Sequence, residues 1–227
     1  MKNIRDLISH CPLFAGLPED QLDSVRDIII EKEYGKGETI FSEGDDGIGF
    51  YLVSQGMVKI YKVSFEGKEH ILHIFGPGEF FGEVPVFTGK VYPASAEAIQ
   101  KSRLLFLPRD RFIGLVTKNP SISLNMLAVL SMRLRQFAAQ IESLSLKEVP
   151  GRLASYLMLL SEEQKNAASV TLNISKGQLA SLLGTIPETM SRILTKMSSM
   201  NLIEVNGRDI RLLDMDGLQD LAESGKI

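Results

Sequence analysis

The chain has 227 residues, 44% hydrophobic and 23% charged, with a formal net charge of −3, the composition of a globular protein that buries one large core or two ordinary ones. A chain that was all nucleic-acid footprint would be basic, so any such function must sit in a local patch. The single cysteine, Cys11, excludes an internal disulfide and the thiolate clusters of zinc or iron–sulfur sites. The opening MKNIRDLISHCPLF lacks the apolar stretch of a secretion signal, and SRLLFLP and MLAVLSM fall far short of the roughly 20 residues that span a bilayer. A cytoplasmic protein with no membrane partner is expected.

Residues 3–30 read as helix, break, helix, with Leu22, Val25, Ile28 and Ile29 at helical spacing. From about 33 to 108 short β-type runs (TIFSEG, GFYLVSQG, MVKIYKVS, HILHIFGPG, ASAEAI, RLLFLP) alternate with glycine turns. Gly56, Gly67 and Gly78 recur at an interval of 11, the spacing of an antiparallel sandwich or rolled barrel. A long helix is predicted over 120–147. In it Leu127, Leu130, Leu134, Phe137, Ile141 and Leu144 step by 3, 4, 3, 4 and 3, the a/d seam of a two-stranded coiled coil, so a homodimer is expected. Met126 and Met132, in or near that seam, read as packing residues. Pro150 is read as ending this helix, with GRLASYLMLLSEEQ opening a second domain.

In that domain each punctuation residue of TLNISKGQLASLLGTIPETMSRILTKMSSMNLIEVNGRDIRLLD has a local role. Ser175 and Gln178 form a capping-box pattern opening a helix whose buried stripe is Leu179, Leu182 and Leu183. Gly184 ends it, and Thr185 is expected to cap the next helix, with Glu188 as box partner and Pro187 in the first turn. Two short helices joined by a tight glycine turn make a helix-turn-helix. The second helix, about 186–199, buries Ile193, Leu194 and Met197 and turns Glu188, Ser191, Arg192 and Lys196 the other way. A helix in the major groove reads bases mostly with its N-terminal residues. There arginine pairs guanine, glutamate accepts from cytosine and serine contacts either base or phosphate. The alternation in LIEVNGRDIRLL around Asn206-Gly207 predicts a hairpin wing, with Arg208 and Arg211 placed for phosphate. Nothing in the chain has the spacing of a metalloprotease helix, a nucleophile elbow or a phosphate-cradling loop, so an enzyme is not expected.

These motifs resemble the CRP/FNR family of bacterial transcription regulators over nearly the whole chain. FSEGDDGIGFYLVSQGMVKIYK and FGPGEFFGEVPVFTG are similar to its β-roll signatures, and PETMSRILTKMSSMNLIEVNGRDIRL to its recognition helix and wing. The resemblance implies an α+β fold: an antiparallel β-roll, like a cyclic-nucleotide-binding jelly roll, over 1–119, a dimerisation helix over 120–147 and a winged helix-turn-helix over 148–227. It implies double-stranded DNA and RNA polymerase as partners, and allosteric switching by a small effector through a hinge at 145–152. Glu-x-x-Ser-Arg matches the FNR-like subtype, which implies TTGA-type half-sites contacted by Glu188, Ser191 and Arg192. Ser175, Lys176, Thr185, Thr189, Lys196 and Arg208 would meet the DNA backbone.

The effector pocket implied by the same resemblance comprises His73, Phe75, Gly82, Glu83, Val84, Tyr92 and Ala94. Cyclic-nucleotide-binding members continue from Gly-Glu to an Arg-Ser pair. Here the later positions read Tyr92-Pro93, and neither side chain neutralises a phosphate, so cyclic AMP is not expected. Cys11 alone cannot hold an iron–sulfur cluster. The similar branches that remain include haem-dependent nitric-oxide regulators, which makes haem the candidate cofactor, with His73 or His10 as axial ligand. The plainer alternatives are a rim histidine at 73 and an exposed one at 10, with another small effector or none. His70 and His73, at i and i+3 of one strand, are expected on opposite faces and so unable to share an ion.

Overall fold

A computed structural model describes residues 4–166 and 168–225 of the chain, which divides into two compact units between Leu134 and Arg135. The first begins with α1 (Ile4–His10), a 3₁₀ turn (Pro12–Phe14) and α2 (Glu19–Ile28). Six strands follow: β1 (Ile30–Tyr34), β2 (Thr39–Phe41), β3 (Gly49–Gln55), β4 (Val58–Val63), β5 (Glu69–Phe75) and β6 (Phe80–Phe81). Then come the short α3 (Val84–Thr88), β7 (Ser95–Ala98), β8 (Ser102–Pro108), α4 (Arg109–Lys118) and α5 (Pro120–Leu146). The strands form two four-stranded sheets of order β1-β8-β3-β6 and β2-β7-β4-β5, every pair antiparallel.

The run GFYLV of β3 is apolar at every place because both faces of its sheet are covered. Phe50 and Leu52, with Leu105 and Leu107 of β8, join Ile8, Phe14, Phe112, Ile122 and Met126 in a core under the helices. The alternate residues Tyr51 and Val53, with Leu104 and Phe106, face a second core with Phe41, Phe75, Phe81, Tyr92 and Ala96 between the sheets. Gly56, Gly67 and Gly78 have φ of +93°, +78° and +90°, left-handed turn conformations that glycine adopts without steric cost.

Strand β5 departs from the alternation expected of it. Ile60 pairs with His73 and the next residue, Tyr61, with Ile71, so Leu72 is an extra residue in the ladder. This bulge reverses the sense of alternation. His70 and His73 therefore stand opposite Lys62 and Ile60, on one face, and the expected opposition of the two histidines is overturned. Ile71 is turned to the other face from His73, whereas Phe75 keeps the face of His73.

The second unit holds α6 (Val149–Glu163), β9 (Ser169–Thr171), α7 (Lys176–Leu182), α8 (Pro187–Ser199), β10 (Ile203–Asn206), β11 (Asp209–Leu212) and α9 (Met215–Ser224). Pro150 does not end the long helix, which stops at Leu146. It stands in the first turn of α6, where a missing N–H is harmless. Nor is 145–152 where the units part. Arg152 donates to the carbonyls of Lys147 (2.8 Å) and Leu183 (3.0 Å), and Lys147 Nζ to Ser155 Oγ (3.1 Å), which anchors that break inside the second unit. Gly151 lies against α9, where a Cβ would come within 2.6 Å of Gly225 Cα and 3.0 Å of the Leu221 carbonyl.

Along α5, Leu127, Leu134, Phe137 and Ile141 are 42–71% exposed, an apolar line uncovered in a single copy. Leu130 is half-buried against the helical core and Leu144 half-buried beside Gly184, while Met126 is buried and Met132 exposed. Replacing Leu134 and Ile141 together by glutamate is expected to leave circular dichroism unchanged and to yield monomers in sedimentation; a persistent dimer would place the seam elsewhere. Gly151→Ala should cost about 1–3 kcal/mol in urea unfolding through overpacking against α9.

Candidate nucleic-acid interface and effector pocket

The helix-turn-helix is built from local signals. Ser175 caps α7: its Oγ accepts from Gln178 N (3.2 Å), and the Gln178 side chain accepts from Ser175 N (2.9 Å), the reciprocal box. Gly184 turns the chain with φ of +66°. Thr185 is not the cap of α8. That place belongs to Ile186, at φ −109° and ψ 155°, with no side-chain cap. Proline at the first helical position explains this, because its ring forces the preceding residue into an extended conformation and so sets the boundary at Ile186.

Helix α8 buries Met190, Leu194 and Met197. Its other side carries Glu188, Ser191, Arg192 and Lys196, all exposed, with Glu188, Ser191 and Arg192 one turn apart on one face. Arg192 Nη2 donates to Thr189 Oγ1 at 3.1 Å, which steadies the guanidinium along the helix. Ser175 and Lys176 are exposed at the start of α7 and Thr185 is half-buried in the turn. The wing is β10 and β11, with Asn206 opposite Asp209, so the turn residues are Gly207 and Arg208 rather than Asn206 and Gly207. Gly207, at φ +63°, takes the first turn position, as in a type II′ hairpin. A third strand, β9, pairs with β11 and has no sequence signal of its own. Arg208 is exposed at the tip, and Arg211 Nη1 is paired with Glu204 Oε2 across the hairpin at 2.6 Å.

The interior of the roll is filled by aromatic rings. Tyr92 stacks on Phe41 with centroids 3.8 Å apart and planes at 9°, and Tyr51 on Phe81 at 5.3 Å. Phe75 lies 5.6 Å from Phe81, and Ala94 is buried just before β7. The Tyr92 hydroxyl donates to the Gly49 carbonyl at 2.6 Å, and burial pushes this phenol up to about 12. Burial likewise raises the phenols of Tyr51 and Tyr34, so all three stay neutral. Gly82, at φ +76°, lies so close that a Cβ would come within 3.2 Å of Phe41 and 3.3 Å of Tyr92. Val84 opens α3 and is 46% exposed. A surface cavity of about 330 Å³ lies outside this interior, lined by Asp46, Lys90, Val91 and Arg109 among others.

Glu83 is buried, and its partner comes from a residue that sequence reasoning passed over. Arg133 of α5 donates from Nη1 to Glu83 Oε1 at 2.8 Å and from Nη2 to the Phe80 carbonyl. Its guanidinium also lies 4.2 Å from the Phe80 ring centroid and 5.1 Å from that of Phe75. A charged residue on a coiled-coil helix normally reads as solvated, and no spacing rule links position 133 to position 83.

Neither a cyclic nucleotide nor haem fits these residues. A cyclic phosphate would meet Tyr92 and Pro93, and the Glu83 carboxylate is engaged by Arg133. For haem, His10 is exposed with Nδ1 2.6 Å from the Asp6 carbonyl, at the end of its own helix. His73 sits partly exposed on the rim, its ring 4.4 Å from Phe75 and its Nε2 3.9 Å from Glu79 Oε1. Neither presents a nitrogen to an apolar slot, and the apolar interior is occupied by its own side chains. The Cys11 thiol is fully buried and pushed by that burial to about 11, which removes thiolate ligation near neutral pH. Among the described residues no group of three or more metal-ligating side chains converges, and no helix is long and apolar enough to cross a membrane.

Arg133→Met should destabilise the roll by about 3–5 kcal/mol, because Glu83 is left buried without its cation, and adding Glu83→Gln should restore part of that loss. Additive effects in the double-mutant cycle would show the two residues to be independent.

Residues 31–119 match the cyclic nucleotide-binding domain family, and residues 151–221 the Crp-like helix-turn-helix domain. The chain is 30% identical over 211 residues to the cyclic AMP receptor protein of Thermus thermophilus, covering 93% of this chain and 96% of that protein. It is 28% identical over 212 residues to the transcriptional activator protein FnrA of Stutzerimonas stutzeri, covering 91% and 86%. Among solved structures, FixK2 of Bradyrhizobium japonicum superposes with a TM-score of 0.76 at 25% identity, covering 86% of this chain and 97% of that one. Regulators of this family bind DNA and act as dimers, and its members take different effectors. With a β-sheet effector domain, a long helix and a helix-turn-helix in this order, the chain belongs to the CRP/FNR family of DNA-binding transcription regulators.

Proposed function

We propose that this chain works as a homodimer that reads inverted TTGA-type half-sites, and that it does so without cyclic AMP or haem in its roll. The observation that carries the reading is the exposed face of α8, where Glu188, Ser191 and Arg192 share one side opposite Met190, Leu194 and Met197. On this reading Arg192 makes two hydrogen bonds to guanine O6 and N7, Glu188 accepts from cytosine N4, and Ser191 contacts a neighbouring base edge. Ser175, Lys176, Thr185, Thr189, Lys196 and Arg208 position the dimer on phosphates without reading sequence. The dimer meets RNA polymerase once bound.

A regulator is switched only as far as its effector binds two arrangements unequally. Here the packed rings and the Arg133–Glu83 pair argue for an effector other than cyclic AMP or haem, or for none. An effector entering at Gly82-Glu83 would have to displace Arg133 from its carboxylate and carbonyl partners. The haem and nitric-oxide reading rests on His73 or His10, and the position of the first at the rim beside Glu79 and of the second exposed at the end of α1 speak against it.

Fluorescence anisotropy with a duplex bearing two inverted TTGA half-sites, against a scrambled duplex of equal composition, tests base reading. Arg192→Ala is expected to cost about 1–3 kcal/mol, some 5- to 150-fold, on the specific duplex only, with relaxed preference at one base pair. Equal weakening on both duplexes would make Arg192 a phosphate contact. Titration with cyclic AMP should leave binding unchanged, and titration with haem should give no saturable Soret band. A band saturating at one haem per chain and abolished by His73→Ala would replace this reading with the haem one.

A further inference from the structure

The cavity outside the roll interior is built from two loops that the fold ties together, one between β2 and β3 and the other between α3 and β7. Gly44 N donates to the Tyr92 carbonyl and Tyr92 N to the Asp45 carbonyl, each at 2.9 Å, and Asp46 and Val91 form a further antiparallel bridge. Two glycines make this close approach possible. A Cβ on Gly47 would fall on Pro85 Cβ and within 2.6 Å of the Lys90 carbonyl. Gly89, at φ +65°, ends α3 and turns the chain toward Asp46. Arg109, the first residue of α4, closes the third side. Its N–H donates to the Ile48 carbonyl and its Nε to the Val86 carbonyl, both at 2.9 Å. The walls are thus fixed by backbone bonds, and a volume of about 330 Å³ falls within the roughly 300–1,000 Å³ of small-molecule sites.

The lining carries both signs of charge. Asp46 and Lys90 are exposed, and among the described residues neither the carboxylate nor the ammonium has a hydrogen bond or an ion pair. They do not pair with each other, so the cavity holds a negative and a positive charge at separate places. Arg109 adds a second cation: its Nη1 meets only the exposed Asp110, at 3.5 Å, a surface pair that contributes little, and its Nη2 has no partner among the described residues. Ile48 and Val91, which line the same cavity, are 61% and 44% exposed. A simple anion here would meet Asp46, and a simple cation would meet Lys90 and Arg109. Only a ligand with both charges and a carbon body matches all of the lining.

We infer that this cavity binds a free α-amino acid with an apolar side chain. Lys90 and Arg109 hold its carboxylate, Asp46 its ammonium, and Ile48 and Val91 its side chain, with the charged hydrogen bonds supplying most of the affinity. The site asks nothing of the Arg133–Glu83 pair, and it goes beyond the DNA reading proposed for α8 and stands independently of it. Its occupant bridges the two loops whose backbone bonds hold Tyr92 in place.

Titration calorimetry of the full chain with L-leucine and L-phenylalanine tests this. For leucine, 4-methylpentanoate keeps the carbon skeleton and carboxylate without the ammonium, and 3-methylbutylamine keeps the ammonium without the carboxylate. Saturable binding at one amino acid per chain is expected, with either analogue weaker by about tenfold, the strength of one hydrogen bond to a charged group. Asp46→Asn and Lys90→Gln, at exposed positions where circular dichroism should not change, are each expected to weaken the amino acid by a similar factor. Asp46→Asn should leave 4-methylpentanoate as it was. Absence of saturable binding by both amino acids overturns the inference, and so do analogues that bind as tightly as leucine. Full affinity in both variants would place any amino-acid site elsewhere and overturn it too. None of these outcomes touches the base reading of α8, which the duplex measurements decide by themselves.

Discussion

The guanidinium of Arg133 lies between a carboxylate, a carbonyl and two aromatic rings, and much of the first unit is arranged around it. Burying a charge is costly unless it is paired and hydrogen-bonded, so α5 must lie where Arg133 can reach both Glu83 Oε1 and the Phe80 carbonyl. That placement brings Met126 and Ile122 of the same helix into the core with Phe14 and Phe112. It also fixes the Gly82-Glu83 turn, whose left-handed glycine lets Phe41 and Tyr92 close over the interior. The helix that carries the exposed apolar line is therefore tied to the closed interior of the roll through one side chain.

The same pairing bears on the ligand chemistry proposed for the roll. A charged ligand entering this interior would have to replace the hydrogen bonds that its buried groups already make. Here the carboxylate already has its cation and the tyrosine hydroxyl its carbonyl. These satisfied groups support the reading proposed above, of an effector other than cyclic AMP or haem, or of none. Fold and site are separate matters, and the site carries the function.

The sequence made the DNA-reading half more legible than the sensing half, and the reason is the range of the forces involved. A capping box, a glycine turn and a period of 3.6 are written within a few residues, so Ser175, Gly184 and the buried side of α8 could be read directly. The cap of α8 was missed by one residue because the constraint of Pro187 on its predecessor outranks the hydroxyl of Thr185. The bulge at Leu72 has no local signature, and it put His70 and His73 on one face against simple alternation. The two-residue strand β6 and the helix α3 are too short for periodicity to show. Above all, Arg133 and Glu83 are 50 positions apart, and Tyr92's departure from the nucleotide-binding pattern was visible without revealing that its ring fills the space.

The wing has a consequence for how binding responds to salt. Between β10 and β11 the charges of Glu204 and Arg211 are joined at 2.6 Å, and Asp209, which accepts from Thr171 Oγ1 at 2.6 Å, offsets Arg208. Counterion release scales with the number of phosphates neutralised, so a hairpin whose charges cancel adds little to it. On the base reading proposed for α8, the cations left to meet phosphate are chiefly those of the two helices, and the salt dependence expected of binding is shallow.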